Sequence, residues 1–243
     1  LLFKKLHLKR KKNINQIKNI LKNSKYKRIV IWRSAFGWDV TLFQRPQHIA
    51  NCLADSDTLV FYECNPYTDP DVKKTKKIKD NLYLINLMNY NLKIDFFNVL
   101  KKESTPKYIQ IYSTEYEMDL KTLKEYIKDG YKIIYEYIDD IHPDISNTDE
   151  ILPNIQQKYD YVMSDIENVL VVVTADNLEK DVVSKRGKEK LVYSANGVDY
   201  KHFTEIKEIE LNDDFKKILS MEKPIIGYYG ALAKWFDYKL VEY

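Results

Sequence analysis

Residues 169–174 read Val-Leu-Val-Val-Val-Thr, an almost unbroken apolar run inside polar sequence. A strand with one wet face alternates apolar and polar side chains. A run this continuous fits a parallel strand covered on both faces. Upstream, residues 131–138 (YKIIYEYI) repeat the signal just after Gly130, and residues 28–32 (RIVIW), 58–64 (TLVFYEC), 82–87 and 108–112 add further strands. Downstream, residues 190–194 add another, which ends at Asn196-Gly197. Between these runs lie stretches of helical spacing: 45–54, with Ile49, Ala50 and Leu53 on one face; 120–128; 149–163, with Pro153 in its first turn; and 176–184. Strand and helix alternating in this way predict an α/β fold, a Rossmann-like doubly wound parallel sheet.

The pattern implies three segments. Residues 1–27 form a basic arm or linker helix. Residues 28–203 form the Rossmann-like domain. Residues 204–243 hold a charged linker and the start of a second Rossmann-like domain, with a strand at 224–229 (PIIGYY), a turn at Gly230 and a helix from about Trp235. A lone strand–helix unit cannot cover its strand on both faces, so the remainder is expected elsewhere, in a longer protein.

Charge is uneven along the chain. The net formal charge is +3, yet residues 1–28 carry eleven Lys and Arg and no acid, which leaves −8 on the rest. Ile14, Ile17, Ile20 and Leu21 recur at helical spacing with Lys18 and Lys22 between them. Two main readings stay open: a solvated linker helix, or a surface helix drawn to anionic lipid, which implies a peripheral place at the inner face of the plasma membrane. Nucleic acid is a weaker partner class, because the body has no matching basic face and no recognisable motif. No run of 18 or more apolar residues and no apolar signal core is visible, which points to a cytoplasmic protein. Cys52 and Cys64 fit two buried thiols rather than a disulfide framework, and no Cys/His cluster suggests zinc.

In open α/β sheets, ligands bind outside the carboxyl ends of the strands, so chemistry is sought in the loops there. The loop 34–45 (SAFGWDVTLFQR) places Gly37, Trp38 and Asp39 before a helix that starts near Arg45, whose free N–H groups suit an anion or sugar hydroxyls. It is neither a GxGxxG fingerprint nor a Walker A loop, which disfavours a nicotinamide oxidoreductase. The loop 137–143 (YIDDIHP) brings Asp139, Asp140 and His142 to a strand end, a mix able to orient a hydroxyl or accept its proton; helix-capping Asp residues are the plainer account. Asn196-Gly197 in 193–203 (YSANGVDYKHF) marks a turn and a candidate crossover between domains. Gly230 in 227–237 (GYYGALAKWFD) sits where backbone N–H groups could approach a diphosphate. Asp69-Pro70-Asp71 has the spacing of a metal-binding DxD but reads as a turn, and no metal is expected.

Three stretches carry a resemblance: Phe36-Gly37-Trp38-Asp39 with residues 43–50 (FQRPQHIA); Asn196-Gly197-Val198-Asp199 followed by Phe203; and residues 226–231 (IGYYGA) with Trp235-Phe236-Asp237. There the chain resembles the bacterial GT-B glycosyltransferases often labelled family 4 or group 1, most of all the branch of capsule, teichuronic-acid and other cell-surface polysaccharide assembly. The likeness spans roughly residues 28–243. It implies a GT-B N-terminal domain that binds the acceptor, and a second domain that binds a UDP- or GDP-sugar co-substrate, with no bound cofactor or metal. It implies retaining transfer to a cell-surface glycan or lipid-linked acceptor. In these terms Asp140 and His142 are the catalytic candidates, and Gly37, Trp38, Asp39, Arg45, Asn196, Gly230 and Lys234 contact donor or acceptor. The chain departs from the pattern where Ala231 follows Gly230 and where Lys234 precedes Trp235 rather than glycine. The family's acidic motif and ribose-binding Glu have no counterpart up to residue 243. A non-catalytic acceptor-binding or scaffold module of a polysaccharide-assembly protein is the alternative.

Overall fold

The structure is a computed structural model; it describes residues 2–33, 36–115, 117–143, 149–205, 210–228, 230, 232 and 236–242, with the side chains of residues 2–7 left aside. Residues 1–196 and 197–243 form two compact units.

The first unit is an α/β domain of Rossmann-like type. Its strands are β1 (Arg28–Trp32), β2 (Thr58–Glu63), β3 (Thr75–Lys79), β4 (Leu82–Ile85), β5 (Lys107–Tyr112), β6 (Tyr131–Tyr137), β7 (Val169–Val173) and β8 (Leu191–Tyr193). They form one sheet in the order β3-β4-β2-β1-β5-β6-β7-β8. All neighbours are parallel except β3 and β4, which form an antiparallel hairpin through Asn81 at φ 60. The strand β3 lies outside the sequence expectation. Its residues TKKIK lack an apolar run because it is an edge strand, where lysines block further pairing.

Helices α1 (Leu2–Asn23), α2 (Arg45–Ala54), α3 (Tyr90–Leu100), α4 (Leu120–Lys128), α5 (Pro153–Ser164) and α6 (Asp176–Arg186) connect and cover the strands. The sheet's two faces sort by period two. Ile29, Ile31, Leu59, Phe61, Ile109, Ile133 and Val171 point into a core shared with α1, α3, α4, α5 and α6. Trp32, Val60, Tyr62, Leu82, Leu84 and Tyr112 point the other way, against Ala50 and Ala54 of α2. Local chemistry sets the helix ends. Asn89 Oδ1 accepts from the Leu92 amide at 3.2 Å, Asp119 Oδ1 from the Thr122 amide at 2.8 Å, and Gly130 at φ 85 lets the chain turn after α4. The helix expected from residue 149 starts at Pro153, the position at which proline is favoured.

The basic segment is not an arm apart from the body. In α1, Ile17, Ile20 and Leu21 are buried in the first core, and α3, a helix outside the sequence expectation, packs against them. Asp95 of α3, fully buried, accepts from Asn13 Nδ2 at 2.9 Å and from Arg10 Nε at 3.0 Å. Each buried isoleucine or leucine stabilises by about 1.5–3 kcal/mol, more than enough to hold the helix.

Among the described residues, the second unit contains three short helices, α7 (Tyr200–Thr204), α8 (Asp213–Leu219) and α9 (Tyr238–Glu242). The strand expected at 224–229 does not form: residues 224–228 are neither helix nor strand, and Tyr229 lies outside the described residues. A parallel strand exists only as a member of a ladder, and among the described residues no neighbouring strand pairs with this segment. Among the described residues of this unit, no side chain is buried.

Candidate functional site

Strand β1 is the point where the connections reverse. From β1 the chain builds outward to β2, β4 and β3, then crosses back and builds β5 to β8 on the other side. Loops that leave β1 and β5 therefore diverge and open a crevice at the carboxyl edge of the sheet. A cavity of about 230 Å³ lies there, lined by Arg33 at the end of β1, Glu63 at the end of β2, Tyr67, Met88, and Glu115 and Glu117 after β5.

The sheet holds Arg33 in place. Its amide donates to the Gln110 carbonyl at 2.9 Å, Nε donates to the Glu63 carboxylate, and Nη1 donates to the Tyr126 hydroxyl. Burial holds Lys93, beside Arg33, below the ordinary lysine value. Cys64 lines the same cavity, but burial, with Asp69 and Glu63 nearby, pushes its thiol up to about 12, so it is no nucleophile at neutral pH. Cys52 is exposed, which corrects the expectation of two buried thiols. Behind Glu115, the buried Lys158 of α5 donates from Nζ to the Glu115 carbonyl, and burial lowers its ammonium to about 8.

On the opposite face, Arg45 at the start of α2 binds Glu136 of β6, with Nη2 at 3.0 Å and Nε at 3.2 Å from Oε2. Gln110 Nε2 donates to the other carboxylate oxygen at 2.7 Å. Burial lifts Glu136 above the usual carboxylate range, while Arg45 and Gln110 pull it back. The guanidinium also reaches Ser194 Oγ at 3.3 Å and the Ala195 carbonyl at 3.4 Å. Arg45 is thus a tether from α2 to β6 and to the segment after β8, beside Asn196.

The loop after β1 is braced from within. Asp69, buried, accepts from the amides of Asp39 at 2.8 Å, Trp38 at 3.0 Å and Asn65 at 2.9 Å. Gly37 makes room for the neighbouring loop: a Cβ there would lie 1.6 Å from Thr68 Oγ1. Gln47 Nε2 donates to the Gly37 carbonyl at 3.1 Å, and Gln47 Oε1 accepts from the Gln44 amide at 3.0 Å, which starts α2. The turn expected at Asp69-Pro70-Asp71 forms, with Asp69 spent on amides and Asp71 paired to Lys76 at 2.6 Å. Trp38 stacks edge-on against Tyr62 and Phe43 at ring distances of 5.2 and 5.6 Å.

Asp140 and His142 lie exposed after β6, where the Asp140 carboxylate accepts from the His142 amide at 3.2 Å. Asn196 is exposed at the end of the first unit, and Gly230 lies in a bend beside the Tyr228 ring. Lys234 and the neighbouring Trp235 and Ala231 lie outside the described residues. The fold therefore gathers Gly37, Trp38, Asp39 and Arg45 at one end of the sheet, with Asn196 next to a segment that Arg45 binds. Sequence reading missed Arg33, Glu63 and Glu115, because single charged residues at or just past strand ends form no motif, and Lys158, because a lone lysine within a helix forms none either. Their signal was position alone. Among the described residues no three His, Cys, Asp or Glu side chains gather as a metal site would require, and no helix is long and apolar enough to cross a membrane. No protein-family model matches this chain, and no curated protein matches it closely enough to count as a relative.

Proposed function

We propose that this chain provides the acceptor-binding half of a glycosyltransferase that moves a sugar from a UDP- or GDP-sugar to a cell-surface glycan or lipid-linked saccharide. The observation that carries the reading is the cavity at the topological switch point, lined by Arg33, Glu63, Glu115 and Glu117. Carboxylates and a guanidinium in one crevice suit a polyol: the acids accept from sugar hydroxyls and the cation donates to ring and hydroxyl oxygens. The exposed Tyr67 ring at its mouth supplies an apolar face for a pyranose. Transfer demands orientation of the acceptor hydroxyl and stabilisation of a departing diphosphate rather than a sharp catalytic triad. In this reading Asp140 and His142 orient the hydroxyl, and the braced loop 36–44 faces the donor. The residues with those parts are Gly37, Trp38 and Asp39, with Arg45 holding the loop's far end.

Saturation-transfer NMR with a panel of oligosaccharides, beside calorimetry with UDP- and GDP-sugars, tests the proposal. Saccharide signals that vanish in the Glu115→Gln/Glu117→Gln variant support it. Failure of the unaltered chain to bind any saccharide or nucleotide sugar sinks it. Saccharide binding without any transfer, even beside a separately supplied donor domain, favours the scaffold module instead.

A further inference from the structure

Helix α1 uses one face for the core and leaves the other charged. At 100° per residue, Lys11, Lys18 and Lys22 fall within an arc of about 40°, and Leu8 and Lys12 extend the same outward side. All five are exposed. Among the described residues, none of these four lysines has an acidic partner. Elsewhere acids offset part of the lysine charge: Lys27 pairs with Asp57, Lys76 with Asp71, Lys77 with Asp80, Lys79 with Asp55 and Lys101 with Asp129. The cationic face of α1 is left uncompensated on a body that is acidic overall.

Beside it lies apolar surface that the fold does not use. Arg10 and Asn13 reach Asp95 of α3, so the outward Leu8, 54% exposed, comes from a helix in contact with the one that carries Tyr90, 73% exposed, and Ile94. Just ahead of α3, Met88 is 68% exposed and shares the cavity mouth with Tyr67, 88% exposed. Large aromatic and aliphatic side chains next to unpaired lysines are the two ingredients of interfacial binding. Each lysine is attracted to acidic headgroups, and each apolar side chain inserts at the acyl boundary.

We propose that the outward face of α1, together with Tyr67, Met88, Tyr90 and Ile94, seats this protein on an anionic phospholipid bilayer. The switch-point cavity shares Tyr67 and Met88 with that surface, so docking sets the cavity mouth at the lipid–water boundary. A molecule anchored in the bilayer then meets the cavity without leaving its membrane. The surface stands whether or not the cavity takes a saccharide.

The test is co-sedimentation of the full chain with vesicles of phosphatidylglycerol and phosphatidylcholine, and with phosphatidylcholine alone. Binding is expected only to the acidic vesicles, and falls as salt rises toward 0.5 M or so, where screening shortens to a few ångströms. Losing a cation weakens binding by about fivefold, so Lys11→Gln/Lys18→Gln/Lys22→Gln loses about a hundredfold. The matched variant Lys102→Gln/Lys121→Gln/Lys128→Gln, on other exposed surface, keeps its affinity. Tyr90→Ser/Met88→Ser weakens binding in a way that salt does not alter. Unaltered thermal unfolding certifies the fold of each variant. Equal loss from both lysine sets, equal binding to neutral vesicles, or preference for single-stranded RNA over acidic vesicles overturns the proposal.

Discussion

Gly37 has no room for a side chain, because Thr68 Oγ1 occupies the place where its Cβ would sit. Gly37→Ala therefore costs about 1–3 kcal/mol in stability, the range for forced overpacking. Thr68→Ala in the same chain restores part of it, since the Thr68 Cβ, 2.8 Å away, remains. A double-mutant cycle by urea unfolding measures the coupling, and additive effects would contradict the contact. Arg45 and Glu136 form a buried pair whose members depend on each other. Arg45→Met strands a buried carboxylate and costs about 3–5 kcal/mol, while Arg45→Met/Glu136→Met costs less than the single change. Calorimetric unfolding of the three variants decides it. These residues show how unevenly sequence speaks. Gly37 and Arg45 stood out as parts of a motif, but their partners Thr68 and Glu136 are 31 and 91 positions away along the chain from Gly37 and Arg45 respectively. Nothing local announces them.

At the scale of elements, α1 gives the clearest contrast between a linker and a structural helix. Ile17→Ala is expected to cost about 2–5 kcal/mol, the price of a cavity in a core. The same change on a solvated arm would cost a few tenths at most, so one urea titration separates the two. Helix α5 carries a second prediction, through Lys158. Its ammonium holds its proton less tightly when folded, near 8, than at the ordinary value of 10.5. Below pH 8 both states are charged, and the folded state bears the full penalty of a buried charge. Between about pH 8 and 10.5 the unfolded chain binds the extra proton, so stability rises with pH across that window. Lys158→Met stabilises by on the order of 2–3 kcal/mol at pH 7 and abolishes the rise. Denaturant midpoints measured from pH 7 to 10 check both statements. The periodicity of α3, with Leu92, Phe96, Val99 and Leu100 on one side, is present in the sequence but weaker than the strand signals that flank it. The strand β3 was not legible in the same way, since its lysine-rich residues become a strand only by pairing with β4.

At the scale of the whole molecule, stability resides in the first unit. Residues 197–243 bury no described side chain, so a chain ending at Asn196 keeps its unfolding midpoint within about 2 °C of the longer one. Differential scanning calorimetry of the two chains checks this. A drop of 5 °C or more would show that the second unit supports the first.

The sequence by itself determined the sheet's parallel strands, the bounds of α2 and α4 and the domain's class, because apolar runs and helical spacing are local signals that survive without context. It also determined the loops at which to look, since in a parallel sheet the carboxyl ends follow from strand order in the chain. Tertiary structure alone decided that α1 belongs to the core, because a helix rich in lysine looks solvated until one knows what its isoleucines touch. It alone decided that residues 224–228 form no strand, because a parallel strand is a property of a ladder and not of a segment. And it alone placed Arg33, Glu63 and Glu115 around one cavity, because residues from three strand ends meet only when the sheet is assembled.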